Sequence, residues 1–170
     1  MRIVESPNCD ERPAGVEATL VILHSISLPP GQYGGDAIER LFTNRLNPAE
    51  HPYFQEIAHL RVSSHFLIRR DGETVQFVPV ERRAWHAGAS SWRGRSRCND
   101  FSIGIELEGA EDDFFTDPQY ASLVALLKAL RNTLPLRDVA AHSDVAPGRK
   151  TDPGAHFDWA RLLAALASSH

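Results

Sequence analysis

Ala18-Thr-Leu-Val-Ile-Leu-His24 is the stretch from which the fold is read. Its apolar run is strand-sized, shows no polar alternation and stops at a histidine. An unbroken Leu/Val/Ile run fits a strand covered on both faces, as central strands of α/β sheets are. Such a strand needs helices to cover it, so the neighbouring sequence should supply them. Ser25 to Gly35 follows, with Pro29-Pro30-Gly31 and Gly34-Gly35, and reads as a loop because Pro and Gly do not sustain a helix. Ile38, Leu41 and Phe42 then recur at helical spacing after Asp36, the expected N-cap. Ser63–Arg70 and Glu73–Val80 flank Asp71-Gly72, a hairpin signal. On the N-terminal side, residues 1–15 read as an irregular arm.

Further along, Ser102–Glu108 alternates, with Ile103, Ile105 and Leu107 on one face and Gly104, Glu106 and Glu108 on the other, open one. Gln119–Arg131 carries Tyr120, Leu123, Val124, Leu127 and Leu130 as one helical stripe. Val139-Ala-Ala is a short apolar piece ending at His142, a Pro/Gly-rich loop runs to Gly154, and Phe157–Ala167 closes the chain as a helix. The expectation is one α/β (α+β) domain over residues 1–170, a central mixed β-sheet flanked by helices. Its 170 residues suit one core, and 42% hydrophobic with 24% charged residues exclude a disordered, collagen-like or coiled-coil chain.

A net charge of −4 argues against a nucleic-acid binder with a uniformly basic surface, although Arg93, Arg95 and Arg97 form a local basic loop. No run of about 18 apolar residues is present, so no membrane span is expected. Neither a secretory leader nor a disulfide framework is legible in Met1–Asn8 and the two cysteines, Cys9 and Cys98. Free thiols in a reducing cytoplasm are therefore expected.

Polar residues gathered at strand ends usually face a cleft. Here they are His24, Glu106 and His142, with Asp152 following in the loop His142-Ser-Asp-Val-Ala-Pro-Gly-Arg-Lys-Thr-Asp152. Two imidazoles and a carboxylate are the ligand set of a catalytic zinc site with one position open to water. Spacing alone does not choose Asp152 over Asp144. A carboxylate such as Glu106 near a metal-bound water can act as general base, and Gly104 leaves room beside it, as a substrate-facing position needs. Lys150 could stabilise an oxyanion. The bland alternatives are a hydrogen-bonded structural histidine, a solvated glutamate and a solvated Arg149-Lys150 pair.

The sequence resembles the cytoplasmic AmpD-type 1,6-anhydro-N-acetylmuramoyl-L-alanine amidases, zinc amidases related to peptidoglycan recognition proteins. The resemblance is carried by Leu23–Gly31, His51–Phe54, His59–His65, Ile68–Gly72, Arg83–Gly88, Arg97–Gly109, Arg149–Gly154 and Phe157–Arg161, spanning about residues 20–165. It implies the amidase fold of that family, zinc held by His24, His142 and Asp152, Glu106 as catalytic carboxylate and Lys150 as transition-state partner. The implied reaction is hydrolysis of the amide between anhydro-N-acetylmuramic acid and L-alanine, in cytoplasmic peptidoglycan recycling. The expected partner is an anhydro-muropeptide substrate, with no nucleic acid and no membrane, and the chain is expected to be a monomer. Ser25 departs from the Asn usual after the first ligand.

A muropeptide stem is acidic, and guanidinium groups pair bidentately with carboxylates. Arg61 and Arg97 are thus the expected stem contacts, ahead of Arg93 and Arg95, with Trp85 offering an apolar face to the sugar. His51, His59, His65, His86 and His156 are expected to be structural or to stand behind the metal ligands rather than to bind the metal, and His86, beside Trp85, has a chance of lining the cleft. Two competing readings are an exported amidase acting on intact murein and a recognition module without catalysis.

Overall fold

The structure, a computed structural model, describes residues 1–168, and the last two residues of the expected 1–170 domain lie outside the described residues. The strands in chain order are β1 (Arg2–Ile3), β2 (Cys9–Glu11), β3 (Leu20–Ile26), β4 (Phe66–Ile68), β5 (Thr74–Gln76), β6 (Arg82–Ala84), β7 (Ser91–Trp92), β8 (Arg95–Ser96), β9 (Ser102–Glu108) and β10 (Asp138–Ala141). The helices are α1 (Ala37–Phe42), α2 (Pro52–Ile57), α3 (Asp117–Arg131), α4 (His142–Val145) and α5 (Trp159–Ala167). Six strands form one mixed sheet in the order β1-β5-β4-β9-β3-β10, parallel except where β5 meets β4.

β3 and β9 lie at the centre of the core. Val21 and Leu23 pack with Ile103, Ile105 and Leu107 against Leu123 and Leu127 of α3. The other face of β3 places Leu20 and Ile22 against Ala87, Cys98 and Phe101. The unbroken apolar run thus does what its composition predicts. β9 differs from its alternating reading, because all seven of its residues are buried. The face expected to be open is covered: Glu108 accepts from Arg69 Nη1 at 3.0 Å and from the Arg70 and Gly34 amides at 3.1 and 2.8 Å. Helix α3 starts at a capping box, with Gln119 N–H donating to Thr116 Oγ1 and Thr116 N–H to Gln119 Oε1 at 3.2 and 3.0 Å.

The hairpin at Asp71-Gly72 is present, with shorter strands than expected and Gly72 at φ +90°, a value that favours glycine. β3 runs on past His24 to Ile26, because its polar continuation still pairs residue for residue with β9. Asp36 precedes α1 without capping it through its side chain and pairs instead with Arg40 Nε at 3.2 Å. The N-terminal arm is not irregular. β1 adds to the main sheet and β2 pairs with β6, while Arg12 enters the protein and donates to the carbonyls of Asn99, Asp100, Val80 and Ser102. Pairing of a short arm with distant strands leaves no local periodicity to read.

His65, fully buried in this layer, accepts from Gly104 N–H at Nδ1 (3.0 Å) and donates from Nε2 to the Arg82 carbonyl (2.9 Å). Burial lowers its pKa to about 3, and a proton on Nδ1 would face the Gly104 amide donor. The folded value lies below the unfolded one of about 6.5, so the unfolded chain takes up this proton first. The contribution is fully present above pH 6.5 and is lost as pH falls toward 3. Urea midpoints should fall between pH 6 and 4, and His65→Gln should flatten that slope by up to about 1.4 kcal/mol per pH unit. An unchanged slope in the variant would show that His65 titrates freely in the folded protein.

Candidate functional site

Parallel pairing sets His24 of β3 directly opposite Glu106 of β9, near the carboxyl ends of both strands. β10 pairs with β3 so that Ala141 lies beside Leu23, which delivers His142, the next residue, alongside His24. Crevices at the carboxyl ends of parallel strands are where open α/β sheets place their ligands. Asp152 reaches the same point from its loop, anchored where its carbonyl accepts from Ser143 N–H of α4 at 3.1 Å.

Three donor atoms converge there. His24 Nδ1 lies 3.0 Å from His142 Nδ1 and 3.2 Å from Asp152 Oδ2, and His142 Nδ1 lies 3.2 Å from Asp152 Oδ1. His142 Nε2 faces the Ala87 carbonyl at 2.9 Å, a group that only accepts, so Nε2 carries the proton and Nδ1 presents its lone pair to the cluster. A tetrahedral ion bonded at about 2.0–2.2 Å holds its ligand atoms about 3.3–3.6 Å apart, a few tenths of an ångström beyond these separations. The donor set and its spacing fit a metal ion, and His24, His142 and Asp152 form a possible metal site.

Asp144, the alternative ligand by spacing, is used elsewhere: its Oδ2 accepts from Ala141 N–H at 2.9 Å at the start of α4. Burial pushes the Asp152 carboxyl up, yet it lies below the usual carboxylate range beside the His142 and His24 rings, ionised as a ligand must be. Burial lowers His24, favouring the neutral imidazole that a ligand needs.

Glu106 is buried, with Oε1 3.9 Å from His24 Nδ1 and Oε2 without a hydrogen-bond partner. Burial, reinforced by the Asp152 charge, raises its carboxyl well above the ordinary value, and Lys150 opposes the rise. Oε2 is sealed from solvent, so Oε1, toward His24, is the oxygen placed to take and hold a proton at the cleft. The cleft has a volume of about 490 Å³ and is lined by the three donor residues, Glu106, Lys150, Trp85, Ser25 and Tyr53 among others. Arg61 and Arg97 are not among its lining residues. Arg61 sits beside the rim residues Leu60 and Val62 and donates to the His59 and Leu60 carbonyls. Arg97 is exposed and pairs with Asp100 at 3.5 Å.

The basic loop is a hairpin whose charges turn to the protein itself. Arg93 pairs with Asp138 at 3.2 Å, and Arg95 lies over Phe101 at 4.1 Å. Arg149 is no solvated bystander either: it donates to the Ala87 and Ala89 carbonyls at 2.6 and 2.8 Å. The space beside Gly104 is not open to substrate. A Cβ there would lie 2.6 Å from the ring of His86, which fills it. His86 lines the cleft, as its place beside Trp85 suggested, and stands behind a donor residue, its Nδ1 2.8 Å from His24 Nε2. A second signal was Gly104 itself, a missing side chain in a strand of large ones.

A mixed sheet with a His/His/Asp cluster and a buried glutamate at its carboxyl edge defines a metal-site hydrolase architecture. Residues 14–155 match the model of the N-acetylmuramoyl-L-alanine amidase family, and the chain belongs to that family. Within it, the 1,6-anhydro-N-acetylmuramyl-L-alanine amidase AmpD of Escherichia coli (strain K12) is 57% identical over 163 residues, covering 95% of this chain and 89% of the relative. The crystal structure of a selenomethionine derivative of AmpD superposes with a TM-score of 0.95 at 55% identity, covering 97% of this chain and 93% of that one. The Escherichia coli amidase AmiD, in complex with the substrate anhydro-N-acetylmuramic acid-L-Ala-D-γ-Glu-L-Lys, matches with a TM-score of 0.67 at 26% identity, over 91% of this chain and 60% of that one. The chain is thus an amidase of the AmpD type in sequence and fold, as the resemblance implied. Among the described residues no helix is long and apolar enough to cross a membrane.

Proposed function

We propose that this chain hydrolyses the amide between 1,6-anhydro-N-acetylmuramic acid and the L-alanine of soluble anhydro-muropeptides, in peptidoglycan recycling. The observation that carries the reading is the convergence of His24, His142 and Asp152 beside a buried, raised-pKa Glu106 in a cleft. His24, His142 and Asp152 would hold a zinc ion, which would supply Lewis-acid polarisation of the carbonyl and acidify a water. Glu106 accepts a proton from the attacking water at Oε1, the oxygen on the His24 side, and returns it to the departing alanine nitrogen. Lys150, on the cleft wall, offsets the negative charge that develops on the carbonyl oxygen.

Trp85 gives the sugar an apolar face within the cleft, and Arg61 at the rim is placed for a stem carboxylate. Arg97 is assigned the same role at longer range. The whole chain works as one domain and as a monomer. Two free thiols, Cys9 and Cys98, agree with a reducing cytoplasm, where soluble wall fragments are met.

Mass spectrometry of products tests the reading. With anhydro-muropeptide and intact murein offered in parallel, free anhydro-N-acetylmuramic acid and intact stem peptide should accumulate from the soluble substrate first. Preferential release of peptide from polymeric murein would favour the exported-amidase reading. Tight binding without turnover would favour a recognition module.

A further inference from the structure

We infer that His86 is a positioning residue that fixes the tautomer of His24, accepting its Nε2–H so that Nδ1 keeps a lone pair for the metal; this rests on the proposed role of His24 as a ligand. His24 is fully enclosed, and its Nε2 has one hydrogen-bond neighbour among the described residues, His86 Nδ1 at 2.8 Å. The His86 ring stands at 85° to that of His24, edge to face. Its far nitrogen, Nε2, lies 3.1 Å from Ser102 Oγ, a hydroxyl able to accept the His86 proton. A chain His24 Nε2–H to His86 Nδ1, then His86 Nε2–H to Ser102 Oγ, satisfies every ring nitrogen with each imidazole neutral. The reverse direction would put a proton on His24 Nδ1, inside the cluster of donor atoms, and block a cation.

The ring of His86 is held in one place from three sides. The amides of His86 and Ala87 both donate to Asn99 Oδ1, at 3.1 and 2.9 Å. Gly104 provides the floor, since any Cβ there would strike the ring at 2.6 Å. Arg12, from the N-terminal arm, donates to the carbonyls of Asn99 and Ser102, tying down the backbone of both supports. His142 gets its orientation from a backbone carbonyl; His24 gets its own from a side chain, which makes its tautomer mutable. Outer partners of metal-bound histidines typically govern about 10–100-fold of metal affinity.

The test uses the full chain with zinc alone as probe. Wild type should bind one zinc in competition with a chromogenic chelator, and long-range 15N–1H spectra should show His24 in the Nε2–H form. His86→Leu should weaken zinc about 10–100-fold and mix the His24 tautomers. His86→Asn, whose Oδ1 can accept where Nδ1 did, should recover most of both. Ser102→Ala, a milder change, should shift the His86 proton distribution and keep the fold if the leucine variant does not. Unchanged zinc affinity with an unchanged His24 tautomer in folded His86→Leu or Ser102→Ala would overturn the inference. Wild type that binds no stoichiometric zinc would instead overturn the metal reading on which it stands.

Discussion

Asp152→Ala is expected to emerge from dialysis with almost no zinc and with turnover lowered by about a thousandfold or more, since Lewis-acid catalysis supplies several kcal/mol and each 1.36 kcal/mol is a factor of ten. The carboxylate is the one anionic member of the cluster, below the usual carboxylate range despite its burial. Removing it leaves two neutral imidazoles whose Nδ1 atoms, 3.0 Å apart, have neither charge nor a third ligand to retain a divalent cation. Asp144→Ala is the internal control. That residue sits in the same loop-helix segment but caps α4 through Ala141 N–H, so its loss should cost about 1 kcal/mol of stability and leave zinc stoichiometry intact. Zinc content by mass spectrometry of the native protein decides between the two aspartates. Full retention in Asp152→Ala would remove it from the ligand set.

Glu106→Gln should lower turnover by about 10²- to 10⁴-fold with zinc content and KM near wild type, the range expected for loss of a general acid–base group. The amide has the shape of the carboxyl, so the packing around this buried position survives. What disappears is the ability of the carboxyl, beside His24 at the cleft, to take and return a proton. The raised carboxyl is consistent with a group that both accepts and returns a proton near neutral pH. Zinc loss equal to that of Asp152→Ala would place Glu106 among the ligands instead.

Much of the fold was legible because its signals are local. An unbroken apolar run at Ala18–Leu23, a helical stripe from Tyr120 to Leu130 and the Asp71-Gly72 turn each depend on residues close in sequence. The errors fall where pairing is long-range. The arm over residues 1–15 looked irregular because its partners, β5 and β6, lie some seventy residues on. The open face of β9 looked solvated because the Arg69 and Arg70 groups that satisfy Glu108 belong to another strand's end. Gly104 was read as space for substrate, and the space belongs to His86.

By itself the sequence determined the fold class, the family resemblance and the roster of donor-bearing residues, since residue types and local periodicity are properties of the chain. Only the tertiary structure decided between Asp152 and Asp144, turned Arg93 and Arg95 of the 93–97 hairpin back onto the protein and set His86 behind His24. The net charge of −4 carries none of this. The physical reason is that hydrogen bonds and metal geometry act over about 3 Å, and closeness on that scale comes from strand register rather than spacing along the chain.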